Sequence, residues 1–155
     1  MESSNVVGIH HPGIVVPDLE RAVRFYCRVF GMEELHRGQW QTPNDVINGI
    51  LGVSGTSASF ALLKIGRGFL ELFEYTQPSQ PKQEPDDAYK LGIRHICFEV
   101  TDPSCTLSIV EAEGGSVMNQ PQSLSGGGTA VYCRDPFGNL IELTTAAGRM
   151  PSLNG

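Results

Sequence analysis

Several large classes of protein are excluded by what this chain lacks. No apolar run approaches the ~20 residues that a bilayer-spanning helix needs, so no membrane partner is expected. The opening MESSNVVGIHH carries neither the basic nor the apolar region of a secretory signal. Eleven Lys and Arg stand against seventeen Asp and Glu, a net charge of -6, and the basic residues are scattered. A phosphate backbone requires a concentrated basic face, so nucleic acid is not an expected partner either. Cys27, Cys97, Cys105 and Cys133 form no C-x-x-C pair and no dense framework. Reduced thiols in a cytoplasmic protein are the expectation.

What is present fits one domain spanning residues 1–155, long enough to bury roughly two-thirds of the surface its unfolded chain exposes. Eighteen glycines and ten prolines imply many turns and short elements, which argues against an all-helical bundle. The chain also repeats itself. In HHPGIVVPD, His11 precedes Asp18 by seven positions, and in GIRHICFEVTD, His95 precedes Asp102 by the same seven. Each aspartate is followed by a helical pattern that stops at glycine. In LERAVRFYCRVFG, Leu19, Ala22, Val23, Tyr26 and Phe30 recur at helical spacing, with Asp18 placed to cap the start and Gly31 to end it. In PSCTLSIVEAEGG, Pro103 suits the first turn, and Leu107, Val110 and Ala112 are expected to face a core before Gly114.

Each half then runs through short apolar segments to a glutamate inside a strand-like run: Glu71 in GFLELFEY and Glu142 in GNLIELTT. The predicted fold is α+β, two βαβββ modules at about residues 6–75 and 93–145. They are joined by a linker at about 76–92, TQPSQPKQEPDDAYKLG, which has no apolar periodicity. Paired, the modules would share one core and one concavity. The stretch WQTPNDVINGILGVSG, residues 40–55, is expected as a short helix or a loop over that concavity. Gly126–Gly128 lack the Lys-Ser/Thr of a phosphate-binding loop and suit a hairpin.

If the repeat is structural, His11, Glu71, His95 and Glu142 occupy equivalent strand positions and can converge. Two imidazoles and two carboxylates make an N2O2 set suited to one divalent ion such as zinc, nickel, cobalt, manganese or iron. Two ionised carboxylates placed together without a cation would each cost desolvation and would repel one another. A divalent ion removes both costs. Cys97 shares a strand face with His95. Glu74 and Glu99 are near misses that could line or leave the same cavity, His10 is expected on the strand face opposite His11, and His36 at the surface. Trp40, Ile50, Leu51, Phe60 and Phe73 are the candidates for an apolar substrate-binding wall.

The segments HHPGIVVPDLERAVRFYCRVFG, FLELFEY, GIRHICFEV and DPFGNLIEL together resemble the vicinal oxygen chelate superfamily, the glyoxalase, bleomycin-resistance and extradiol-dioxygenase group, with features similar to glyoxalase I and methylmalonyl-CoA epimerase-like members. That resemblance implies a cupped mixed sheet around a metal, usually in a homodimer, with His11, Glu71, His95 and Glu142 as ligands. It further implies a small-molecule substrate with neighbouring oxygens, chelated by the metal. Glu71 or Glu142 would then act as catalytic base through a metal-stabilised enolate or enediolate, in an isomerase, epimerase or lyase. Val15 and Tyr75 stand where bacterial glyoxalases carry an arginine and an asparagine for glutathione, so glutathione is not the first expected substrate. Two alternatives remain: an extradiol-type dioxygenase using Fe(II), and a non-catalytic drug-binding protein.

Overall fold

A computed structural model describes residues 5–81, 84–147 and 151–153. Two compact units emerge: Met1–Val23 with Met32–Gln80, and Arg24–Gly31 with Pro81–Gly155. Among the described residues no helix is long and apolar enough to cross a membrane.

The sheet of the first unit contains β1 (Gly13–Val15), β2 (Glu33–Trp40), β3 (Ser57–Ile65) and β4 (Gly68–Gln77), in the order β1-β4-β3-β2. β1 lies parallel to β4, while β4, β3 and β2 are antiparallel neighbours. β4 reaches two residues into the expected linker. Strand alternation divides the sheet cleanly: Ala61, Leu63, Leu70 and Leu72 are buried on one face, whereas Glu71, Phe73 and Tyr75 lie on the other. Helix α1 (Leu19–Phe30) forms where its spacing predicted, and all five of its expected inward residues are buried. At its start the Arg21 amide donates to Asp18 Oδ1 at 2.9 Å and the Leu19 amide to Glu74 Oε2 at 2.9 Å. Such capping is worth ~1 kcal/mol. Gly31, at φ 65°, ends the helix in the left-handed conformation that glycine adopts without penalty.

Helix α2 (Asp45–Leu51) is the short helix allowed for residues 40–55; Asn44 caps it by accepting from the Ile47 amide at 3.1 Å, and Gly52 closes it at φ 70°.

The second unit repeats the plan with β5 (His95–Glu99), α3 (Pro103–Ala112), β6 (Ser116–Val117), β7 (Gln122–Ser123), β8 (Thr129–Arg134) and β9 (Leu140–Thr144). Its order is β5-β9-β8-β6, again with the first strand parallel to the last, and β7 pairs with β8 around the expected glycine hairpin. Asp102 caps α3 by accepting from the Cys105 amide at 3.0 Å. Pro103, Leu107 and Val110 are buried, as their spacing requires, but Ala112 is exposed. It falls two residues past Val110 and therefore on the opposite side of a helix with 3.6 residues per turn. Gly115 is needed for close packing, since a Cβ there would stand 2.5 Å from the Arg134 carbonyl and 2.7 Å from Val110 Cγ1.

The core of this unit includes the C-terminal half of α1. Phe30 stacks on Phe98 at a centroid distance of 3.9 Å, and Phe25 and Tyr26 are fully buried. The Tyr26 hydroxyl donates to Asp135 Oδ2 at 3.1 Å, and buried Asp135 also accepts from the Phe137 and Asn139 amides and from Asn139 Nδ2. The DPFGN turn thus folds around one carboxylate that also holds α1.

Burial, and next the negative charge of Asp135, hold the Tyr26 phenol well above its ordinary range. A pKa raised on folding contributes stability that is complete below the unfolded value near pH 10 and is lost as pH rises through the folded value. Tyr26→Phe should therefore cost ~1 kcal/mol at neutral pH and flatten the alkaline loss of stability. Urea denaturation at about pH 7 and about pH 10.5 checks both effects; an equally steep alkaline loss in the variant would mean that Tyr26 is not its source.

Candidate metal centre

The repeat acquires its chemical content from strand register. β1 pairs Gly13 with Glu71, and β5 pairs Cys97 with Glu142. His11 stands two residues before Gly13, and His95 two residues before Cys97. Each histidine stands at the same sequence offset from the strand partner of its glutamate, and the contacts match: His11 Nε2 lies 3.0 Å from Glu71 Oε2, and His95 Nε2 lies 3.0 Å from Glu142 Oε2. The side chains of both pairs are part-exposed, 34% and 21% in the first and 36% and 18% in the second, so a small ion can reach either one.

The second nitrogen of each ring is engaged as well. His95 Nδ1 lies 3.3 Å from the Tyr132 hydroxyl, which also donates to Glu142 Oε2 at 3.4 Å. His11 Nδ1 lies 2.7 Å from His10 Nδ1, and the His10 ring stacks on Phe69 at 4.8 Å. Such contacts fix ring orientation and tautomer at metal-binding histidines. His10 was expected on the face opposite His11; β1 begins only at Gly13, so strand alternation does not govern residues 10 and 11.

The four expected ligands are thus gathered as two pairs, one in each unit. Among the described residues no group of three or more His, Cys, Asp or Glu could hold a metal ion. An imidazole nitrogen and a carboxylate oxygen are nevertheless the donor types that zinc and its neighbours take, and each pair offers one of each.

Tyr132 was missed in the sequence, although a signal was there. In TAVYCR, buried Val131 and Cys133 leave Tyr132 on the other face, and β8 sets it opposite Glu142. Its counterpart in the first sheet, opposite Glu71, is Leu62. Burial, then Glu142, raise the Tyr132 phenol above its usual value. Cys97 stays a neutral thiol near pH 7, because burial and next Glu142 push it up to about 11.

On the Glu71 face of the first sheet stand Trp40, Phe60 and Phe73, three of the five expected wall residues. Phe60 lies 6.1 Å from both Trp40 and Phe73 by ring centroids, and Tyr75, not expected, joins them 5.7 Å from Trp40. The Trp40 indole N–H donates to Thr56 Oγ1 at 3.1 Å. Gly38 is bare because Phe60 covers it: a Cβ would meet the ring at 2.6 Å. His36 is exposed as expected, yet its ring also meets Phe60 at 5.5 Å. Ile50 and Leu51 do not join this wall; they lie on α2, none of whose residues is buried, and are 74% and 38% exposed. Glu74 points away from Glu71, caps α1 and, with Glu20, Arg37, Gln39 and Ser59, lines a cavity of about 330 Å³. Glu99 accepts from Ser152 Oγ at 2.8 Å and from the Leu153 amide at 2.6 Å.

Comparison with known proteins agrees with this architecture. Residues 8–143 match the model of the Glyoxalase/Bleomycin resistance protein/Dioxygenase superfamily. The chain is 32% identical over 152 residues to a 2-epi-5-epi-valiolone epimerase of Actinomyces sp., covering 94% of this chain and 82% of that one. It is 27% identical to a probable lactoylglutathione lyase of Synechocystis sp., over 90% of this chain and 95% of that one. The structure of a glyoxalase family protein from Bacillus cereus superposes with a TM-score of 0.84 at 19% identity, covering 96% and 99% of the two chains. Two β-α-β modules with matched His–Glu pairs, and a family match across nearly the whole chain, show that this protein belongs to the glyoxalase, bleomycin-resistance and dioxygenase superfamily.

Proposed function

We propose that the pairs His11–Glu71 and His95–Glu142 together hold one divalent ion, and that the protein is a metal-dependent epimerase or isomerase of a hydroxylated ketone. The observation that carries this reading is the matched geometry of the two pairs, each with Nε2 and Oε2 at 3.0 Å. The 32%-identical relative supports the reaction class, since its name denotes an epimerase of 2-epi-5-epi-valiolone, a name whose ending marks a ketone.

His11, Glu71, His95 and Glu142 would hold the ion, which would supply positive charge to stabilise the oxyanion formed when the carbon next to a carbonyl is deprotonated. The chain supplies the proton acceptor, a glutamate, and returns the proton to the opposite side of that carbon. Glu142 is the better placed of the two, because the Tyr132 hydroxyl can hold one of its oxygens in line. The aromatic group Trp40, Phe60, Phe73 and Tyr75 offers apolar surface for the substrate's carbon skeleton and shields it from water.

We further propose that two copies of the chain supply the two pairs of each site. Ile9 and Ile93, each two residues before a ligand histidine, are 97% and 90% exposed, and Val7 and Leu91, two residues further back, are 106% and 97% exposed. Matched apolar residues beside each pair suit burial against a second copy.

A lactoylglutathione lyase activity is less well supported, because Val15 and Tyr75 offer no cation for the carboxylates of a glutathione adduct. A dioxygenase would normally leave one of the four ligand positions free.

Two results are expected. Glu142→Gln should retain the fold and abolish exchange of the ketone's α-hydrogen with deuterated solvent, followed by proton NMR; continued exchange would assign the base to Glu71 or another group. His11→Ala and His95→Ala, each inactive alone, should recover roughly one quarter of wild-type activity when unfolded and refolded together, because mixed dimers then carry one intact site. No recovery would mean that both pairs of a site come from one chain.

A further inference from the structure

Glu99 is a second carboxylate on the ligand-bearing face of β5. Alternation places His95, Cys97 and Glu99 on one side of the strand, with ~13 Å between the α-carbons of His95 and Glu99. Register continues the same strip, pairing Cys97 with Glu142 and Glu99 with Thr144. The fold does not require a carboxylate there. In the first sheet the equivalent position, two residues beyond the partner of the ligand glutamate, holds Val15.

The way Glu99 is satisfied is informative. Its two oxygens take two different neutral donors, the Ser152 hydroxyl at 2.8 Å and the Leu153 amide at 2.6 Å. Leu153 is 86% exposed, so its side chain does not hold the segment down by burial. Two neutral donors, one on each carboxylate oxygen, are what a pair of adjacent hydroxyl groups presents to a carboxylate, and a charged acceptor makes such hydrogen bonds strong.

We propose that Glu99 is a subsite for a vicinal diol of the substrate, and that Ser152 and Leu153 occupy it in the free protein as an internal stand-in. This rests on reading the substrate as a hydroxylated ketone, with the chelated oxygens at the His95 end of the strip and the diol at the Glu99 end. Binding exchanges two protein donors for two substrate hydroxyls. The 152–153 segment is released as the substrate enters, and Glu99 selects for the diol against ketones that lack it.

Amide hydrogen exchange tests the subsite without turnover, so a failure of the epimerase reading cannot be mistaken for a failure of this one. The Leu153 amide of the full chain should exchange about tenfold more slowly in the wild type than in Glu99→Gln. Adding myo-inositol, a ring polyol that is not a ketone, should remove that protection in the wild type, whereas cyclohexanol should not. Ser152→Ala should lower the myo-inositol concentration required. An unprotected Leu153 amide, or protection unchanged by myo-inositol, or equal release by cyclohexanol, would overturn the proposal. On any hydroxylated ketone that the protein turns over, Glu99→Gln should raise KM about tenfold with little change in kcat. A fall in kcat at constant KM would place Glu99 in the chemical step instead and contradict the assignment.

Discussion

The site depends on the parallel pairing between the first and last strands of each sheet. A parallel ladder fixes which residues lie side by side, and a slip of one position would turn every side chain to the other face. Gly13 beside Glu71 and Cys97 beside Glu142 give the two histidines, each two residues earlier in the chain, the same offset from their glutamates. The rest of each unit protects that register. Leucine pairs such as Leu63 opposite Leu70 make the buried face costly to expose, and the capped starts of α1 and α3 fix where the chain leaves β1 and β5. Tyr26 and Asp135 tie the end of α1 to the turn that leads into β9.

On this symmetric frame the two halves have diverged in what surrounds the pairs. Beside Glu71 stand Leu62, Phe73 and Gly13; beside Glu142 stand Tyr132, Thr144 and Cys97. The first half contributes an aromatic surface, the second hydroxyls, a thiol and the carboxylate of Glu99. The same divergence separates the two glutamates chemically, because only Glu142 has a phenol within hydrogen-bonding reach among the contacts described.

Much of this was legible in the sequence because it is periodic. Two His-x6-Asp segments, each leading into a helix pattern, disclosed the repeat, and the glutamates between apolar residues marked the strands that carry the His–Glu pairs. What escaped was cross-strand and non-periodic. Tyr132 needed the β8–β9 register, and Tyr75 needed the face assignment of β4. The contact of His10 with His11 arises before β1 begins, where alternation does not apply, and Glu74 is diverted by an α1 amide distant in sequence. Ile50 and Leu51 looked like pocket residues because they are apolar, but hydrophobicity alone does not say which surface a short capped helix presents.

The central claim is that four side chains, paired two by two, bind one metal. Elemental analysis of protein purified without chelators, comparing the wild type with His11→Ala and His95→Ala, tests it most directly. One divalent ion per chain in the wild type and none in either variant is the predicted result. A wild type that remains metal-free after titration with nickel, cobalt, zinc, manganese and ferrous iron, or variants that keep a full complement, would contradict it.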